Sequence, residues 1–249
     1  MKKALVMLLG VLILALGTWR IEANDSLGDF GNLPEVNGLR VVGPTRQVPL
    51  WLKGGILLSR LQERVGKFQI YQLQGQLPEG EGVAWIVTGT LDKDQATKWL
   101  GSNADDFFAN PDDIKVLRKL SAWSLQAYDA EPLVNEWLQK QISANSIVLE
   151  QLGLWRRGDR WENVPHLVTV QLRDFEPLRR VPGAYSTLYT AGERVILRVD
   201  GDFLIPLYVQ IYLRQYQNQV RYACLLAADS ERDYFKNTIW RAMKTLPAN

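Results

Sequence analysis

The sequence predicts an α+β protein in which antiparallel sheets pack against a few helices. Three observations lead there. Strand-like runs bounded by Gly, Pro or Asn cluster towards both ends of the chain. Amphipathic helical periodicity is concentrated in the middle and at the C-terminus. Turn signals join neighbouring strand runs closely enough for hairpins, and segregated helices and antiparallel strands define that class.

Taken in order, Leu39 to Val42 and Val48 to Leu52 read as short strands broken at Gly43-Pro44. Lys67 to Leu77 and Val83 to Leu91 read as a hairpin around Pro78-Glu-Gly-Glu-Gly82. Asp92 opens a short helix ending near Gly101, with Gln95 at capping-box spacing. Asn110 then suits an N-cap and Pro111 the first helical position, with Asp112 and Asp113 near the positive end of the helix dipole. Val116, Leu120, Trp123 and Ala127 follow at helical spacing. A second helix is expected from Pro132 to Ile142.

Beyond Ile147 the chain reads as strands again: Leu167 to Leu172, Tyr185 to Tyr189, Arg194 to Val199, Tyr208 to Arg214 and Val220 to Leu226. Ala191-Gly192 and Asp200-Gly201-Asp202 suit the turns between them. A final helix, Ser230 to Leu246, would bury Phe235, Ile239, Ala242, Met243 and Leu246. The globular region, residues 36–249, divides on this reading into one region or into two lobes, 36–105 and 147–249, joined by a helical pair at 110–143. Gln69-Ile70-Tyr71 and Gln210-Ile211-Tyr212 each open a strand, turn, strand, Asp, helix series. That echo suggests a duplicated ββα unit, or two instances of a common motif.

Residues 1–23 look like a targeting segment, followed by a glycine-rich polar tether at 24–35. Met1-Lys2-Lys3 is basic and Ala4 to Gly17 is almost wholly apolar. As a helix that run rises about 21 Å, short of a hydrocarbon core of about 30 Å. A cleaved signal peptide is expected, ending near Ala15-Leu16-Gly17 or at Ala23; the alternative is a signal anchor over residues 4–19, with Trp19 and Arg20 at the headgroups. Either way the body lies outside a membrane, most simply in a bacterial envelope, with membrane contact only through this segment. Lys2, Lys3 and Arg20 take three of the 29 basic residues and Glu22 one of the 27 acidic ones, so residues 24–249 carry 26 of each sign. A neutral body argues against binding a phosphate backbone, and no nucleic-acid partner is expected.

The single cysteine, Cys224, and single histidine, His166, exclude disulfide frameworks, thiolate or multi-histidine zinc sites and iron–sulfur clusters. Cys224 is expected as a small buried hydrophobe on the face of Val209, Ile211 and Leu213, given a two-residue loop at Gln217-Asn218. His166 has no catalytic context around it. No P-loop, dinucleotide fingerprint, HExxH or nucleophile elbow occurs, so neither cofactor nor metal is expected. The carboxylate groupings Glu79/Glu81, Asp105/Asp106, Asp112/Asp113 and Asp200/Asp202 each fit a turn or a helix start.

Two aromatic groupings are the candidate binding residues. On the strand from Tyr208, period two places Tyr208, Gln210, Tyr212, Arg214 and Tyr216 on one face, a composition typical of contact surfaces. Trp155 and Trp161 flank Arg156-Arg157-Gly158-Asp159-Arg160, as on two sides of a hairpin or an exposed platform. The expected function is an exported or tethered envelope module that binds an envelope protein, a peptidoglycan-related ligand or a small molecule. The alternatives are an envelope hydrolase using a carboxylate pair and a structural assembly component.

Overall fold

The computed structural model describes residues 38–42, 68–110, 113–133, 135–136, 168–184, 188–199, 203–216 and 218–244. The targeting segment and tether, the strand expected at Val48, His166, Trp155 and Trp161, and most of the helix expected from Pro132 lie outside the described residues.

Seven strands form one antiparallel sheet: β1 (Arg40–Val42), β2 (Phe68–Leu77), β3 (Gly80–Asp92), β4 (Val168–Arg180), β5 (Leu188–Val199), β6 (Phe203–Tyr216) and β7 (Gln219–Ala228). Their order across the sheet is β1-β2-β3-β7-β6-β5-β4. Strands from both stretches expected as lobes therefore stand side by side, with β3 on β7 from Ala84↔Ala227 to Asp92↔Gln219. Helices accompany them, among the described residues α1 (Lys93–Leu100), α2 (Asn103–Ala109), α3 (Ile114–Tyr128) and α4 (Arg232–Lys244).

This corrects the α+β expectation of several sheets with packed helices: the protein is built mostly on a single sheet. The reason lies in the strand ends. Ala191-Gly192 does not turn but runs through the middle of β5, opposite Ile211 and Gln210. Two prolines also sit inside strands. Pro177 falls in the edge strand β4, where pairing to β5 is irregular, and Pro206 lies in β6 one residue before its pairing to β7 begins at Leu207↔Ala228. In both places the proline stands where the ladder is incomplete on at least one side.

Both faces of the sheet are covered, and β7 shows it: Tyr222 to Ala227 are all buried, so the strand is apolar on both sides. One face carries Ile70, Val87, Ile211 and Cys224 and packs under α1, α2 and α3 through Leu100, Phe107 and Leu120. The other carries Tyr71, Ile86, Tyr212 and Leu225 and packs under α4 through Phe235, Ile239 and Met243. Among the described residues no helix is long and apolar enough to cross a membrane.

The duplicated ββα unit does not hold. The strand pairs match in facing, down to a Tyr71 hydroxyl on Gln69 Oε1 and a Tyr212 hydroxyl 2.9 Å from Gln210 Oε1. The helices part company: α1 lies on the first face and α4 on the second. A two-fold axis normal to the sheet between β3 and β7 would keep both on one face. Asp92 caps α1 at once through a full capping box with Gln95, so that helix starts directly at the strand end. After β7 a single 3-10 turn, Asp229–Glu231, intervenes, and Asp229 turns to the Arg194 guanidinium instead of capping.

The middle helices also shift. Asn110 is the C-cap of α2, a helix the periodicity did not reveal, and the N-cap of α3 is Asp113, whose carboxylate accepts from the Lys115 N–H at 2.8 Å. Val116, Leu120 and Ala127 are buried as expected, with Ser124 joining them. Ser124 belongs to a set of side chains that close the β4 edge. The Leu178 N–H donates to Ser124 Oγ at 3.0 Å, the Ser121 hydroxyl donates to the Leu178 carbonyl, and the Tyr128 hydroxyl donates to the Leu172 carbonyl at 3.1 Å. Just beyond α3, Asn135 pairs with both backbone groups of Val170, at 2.9 and 2.6 Å. An edge strand that would otherwise offer a row of open donors and acceptors is thus paired to side chains.

Candidate functional site

The tyrosine-bearing face of β6 is interior. Tyr208, Tyr212 and Arg214 are 2%, 0% and 3% exposed, beneath the α4 side of the sheet. Their expected role as an open contact face is corrected accordingly: a face that is half polar in sequence is here a buried hydrogen-bonded seam. The Tyr212 hydroxyl donates to Gln210 Oε1, Gln210 Nε2 to Thr190 Oγ1 at 3.2 Å, and Thr190 Oγ1 to the Ile211 carbonyl at 2.9 Å. Burial raises the Tyr208 and Tyr212 hydroxyls above the usual tyrosine range and lowers Arg214, which Arg221 lowers further. The Lys236 ammonium stands 5.5 Å over the Tyr208 ring. Tyr216 is paired to Gln219 at the strand end, which is the register of a two-residue loop.

The group that stands out is one the sequence reading passed over. In β4, Arg173 pairs with Arg194 and Glu176 with Gly192, so Asp174 and Phe175 together face the one residue Glu193. This is a β-bulge, and Asp174 takes a φ of 50°, uncommon for a residue other than glycine. Bulges of this kind often sit beside functional sites. Glu193 follows the alternation of Ala191, Val195 and Leu197 and so points to the α3 face, where it is 1% exposed. Its Oε1 is buried and meets no hydrogen-bond partner.

A carboxyl in that position resists ionisation. Burial, and then the neighbouring carboxylate of Glu131, push Glu193 up to about 8, which leaves it protonated at neutral pH. The Tyr128 hydroxyl is raised by burial and then by Glu193 and Glu131; its ring stacks on Phe175 of the bulge at 4.6 Å between centroids. Burial and then Glu193 push up the Cys224 thiol on β7, a buried thiol as expected.

On the same face of the sheet an apolar cavity of about 40 Å³ lies between α1, α3 and the strands, walled by Leu100, Trp123, Ala191, Ile211 and Leu213 among others but not by Glu193. In the same measure one water needs roughly 10–15 Å³, so the space exceeds a single water and its lining gives water few partners. Ser124 is the polar exception, and its hydroxyl already donates to the Ser121 carbonyl at 2.8 Å. Ala191 precedes Glu193 by two residues on one strand face, and Ser124 precedes Tyr128 by one helical turn. Cavity and carboxyl therefore lie on the same face of the sheet without sharing a wall residue.

The carboxylate groupings picked out from the sequence do not converge on it. Glu79, Glu81 and Asp105 are exposed, Asp105 is tied to Lys93 at 3.2 Å, and Asp112, Asp200 and Asp202 lie outside the described residues. Among the described residues no cluster of three metal-ligating side chains occurs. Asp174 is held below the usual carboxylate range, first by its hydrogen bond from Arg194, the opposite direction from Glu193. It bonds Arg194 towards Asp229 and Arg232 rather than sharing the space of Glu193. Glu193 was legible in principle: it occupies an apolar-parity position in Tyr189-Thr-Ala-Gly-Glu-Arg-Val-Ile-Leu197, hidden by reading Ala191-Gly192 as a turn. Comparison with protein-family models, curated proteins and solved structures found no match.

Proposed function

We propose that this chain is an exported or membrane-tethered protein of a bacterial envelope, and that its sheet serves as a binding module for a small molecule with an apolar body. The observation that carries the reading is the apolar cavity between α1, α3 and the sheet, walled by side chains of the larger core. A preformed apolar space can take a small hydrocarbon group, because filling it restores contacts that its walls lack. At about 40 Å³ the space is well below the ~150 Å³ of an apolar cavity that takes benzene, so of the partners expected from the sequence it suits only a small-molecule group of a few heavy atoms. The basic and apolar N-terminal segment supports delivery across a membrane.

The test uses Trp123, which lines the space. A brominated short-chain alcohol bound there quenches tryptophan emission, and the Trp123→Phe variant loses that quenching. Ala96→Leu on α1 fills the cavity and abolishes it without unfolding the chain. Quenching that persists unchanged in both variants overturns the reading, as does recovery of the full-length, unprocessed chain free in the cytosol.

A further inference from the structure

We propose that the α4 face of the protein docks on a membrane surface rich in anionic lipid, through Trp240 and the cations around it. The inference goes beyond the cavity reading, whose space lies on the opposite face of the sheet, and adds a second membrane contact to the one expected of residues 1–23.

Trp240 is half-buried, packed against the core beneath α4 and reaching the surface between two cations. The Arg179 guanidinium of β4 and the Lys244 ammonium each stand 5.5 Å from its ring centre. Lys236 precedes Trp240 by four residues and Lys244 follows it by four, so the three share one ridge of the helix. Arg241, next to it, is exposed. From Lys236 to Lys244 the chain carries three cations and no carboxylate. Glu176 pairs with Lys236 and, at 3.2 Å, with Arg179, while Asp233 in the first turn is tied to Arg232 at 3.5 Å. The dipole of α4 accounts for Arg241 and Lys244 in its last turn, but not for Arg179, which another element brings to the same ring. Nor does a general excess of cations account for it, because residues 24–249 carry 26 charges of each sign.

The occupant follows from the mixture. Cations alone suit any polyanion. An amphipathic ring with its body on the core and its rim at the surface is typical of membrane interfaces, and Lys and Arg beside it are attracted to anionic headgroups. The apolar segment expected to meet a membrane at residues 4–17, and the tether expected after it, would hold the protein next to such a surface.

The test mixes the full-length protein with vesicles of phosphatidylcholine, or of phosphatidylcholine with phosphatidylglycerol, both carrying a nitroxide on a fraction of the choline headgroups. The nitroxide quenches tryptophan held at the surface, and the part of the quenching lost in Trp240→Phe belongs to that ring. This signal should appear on the anionic vesicles, be weak on the neutral ones and fade as salt is raised. Each cation near the surface is worth about five- to sixfold, so joint Arg241→Gln and Lys244→Gln should lower the ratio of docked to undocked protein roughly thirtyfold. Joint Arg241→Lys and Lys244→Arg, which keep the charge, should keep the signal. A Trp240 signal equal on both vesicles, absent from the anionic ones, unchanged by loss of the two cations or lost in the charge-keeping pair overturns the proposal. So does polyglutamate that changes Trp240 emission as the anionic vesicles do, since it assigns the face to an acidic protein. None of these outcomes bears on the cavity, which the brominated alcohol reads without vesicles.

Discussion

Replacing Glu193 by glutamine should stabilise the protein, and by an amount that grows with pH. The carboxyl is raised from an ordinary 4.5 to about 8 in the native state, so the native chain binds this proton more tightly than the unfolded chain does. Between those two values the unfolded chain has lost the proton and the native chain has kept it. Stability from this group is therefore greatest at acid pH and falls as pH rises through that window. Each pH unit inside it costs about 1.4 kcal/mol, so going from about pH 5 to about pH 8 removes roughly 3–4 kcal/mol. Glutamine has nearly the same shape but no proton to lose, and its own unpaired amide adds only an offset that pH does not change. Denaturant titrations of the two proteins across that range should show the difference in unfolding free energy widening by roughly 3 kcal/mol towards alkaline pH, equivalent to about 10 °C in midpoint for a chain of this size. All other titrating groups are common to both proteins and cancel in the difference. A difference that stays flat from about pH 5 to about pH 8 would refute the burial argument for Glu193.

Asn135→Ala should cost about 1–3 kcal/mol in unfolding free energy, because both backbone groups of the buried Val170 lose their partner at the sheet edge; amide hydrogen exchange at Val170 should quicken, and unchanged protection there would contradict the edge role. Gly192→Ala places a Cβ 2.7 Å from the Tyr208 hydroxyl in the interior and should destabilise by roughly 1–3 kcal/mol. Tyr208→Phe removes that hydroxyl, which is buried without a partner, and should be close to neutral alone while relieving much of the Gly192→Ala cost. Additive effects in that double-mutant cycle would show that the clash lies elsewhere.

The elements were largely readable and their limits were not. The capping box at Asp92 and Gln95 and the buried Phe235, Ile239, Ala242 and Met243 of α4 are local matters of spacing, and the structure has them where the spacing put them, while the expected Leu246 lies outside the described residues. Ala191-Gly192 misled because a small residue before glycine is a turn signal only when the flanking chain lacks strand partners, and here β4 and β6 supply them on both sides. The same misreading hid Glu193. Tyr212 misled for a related reason: tyrosine, glutamine and arginine alternating along a strand suit a wet face and a buried hydrogen-bonded one equally well. What decided was α4, which no local signal assigns to either face of the sheet.

By itself the sequence determined the periodicities, the turn-prone dipeptides, the apolar N-terminal segment with its basic start, and the scarcity of histidine and cysteine that closes off whole classes of chemistry. Tertiary structure alone decided that β3 pairs with β7, that α1 and α4 take opposite faces, and that a glutamate opposite a bulge in β4 ends up buried. The physical reason is one of range. Spacing and capping act within a few residues of one another, whereas burial, and with it the protonation of Glu193, depends on groups brought together from distant parts of the chain.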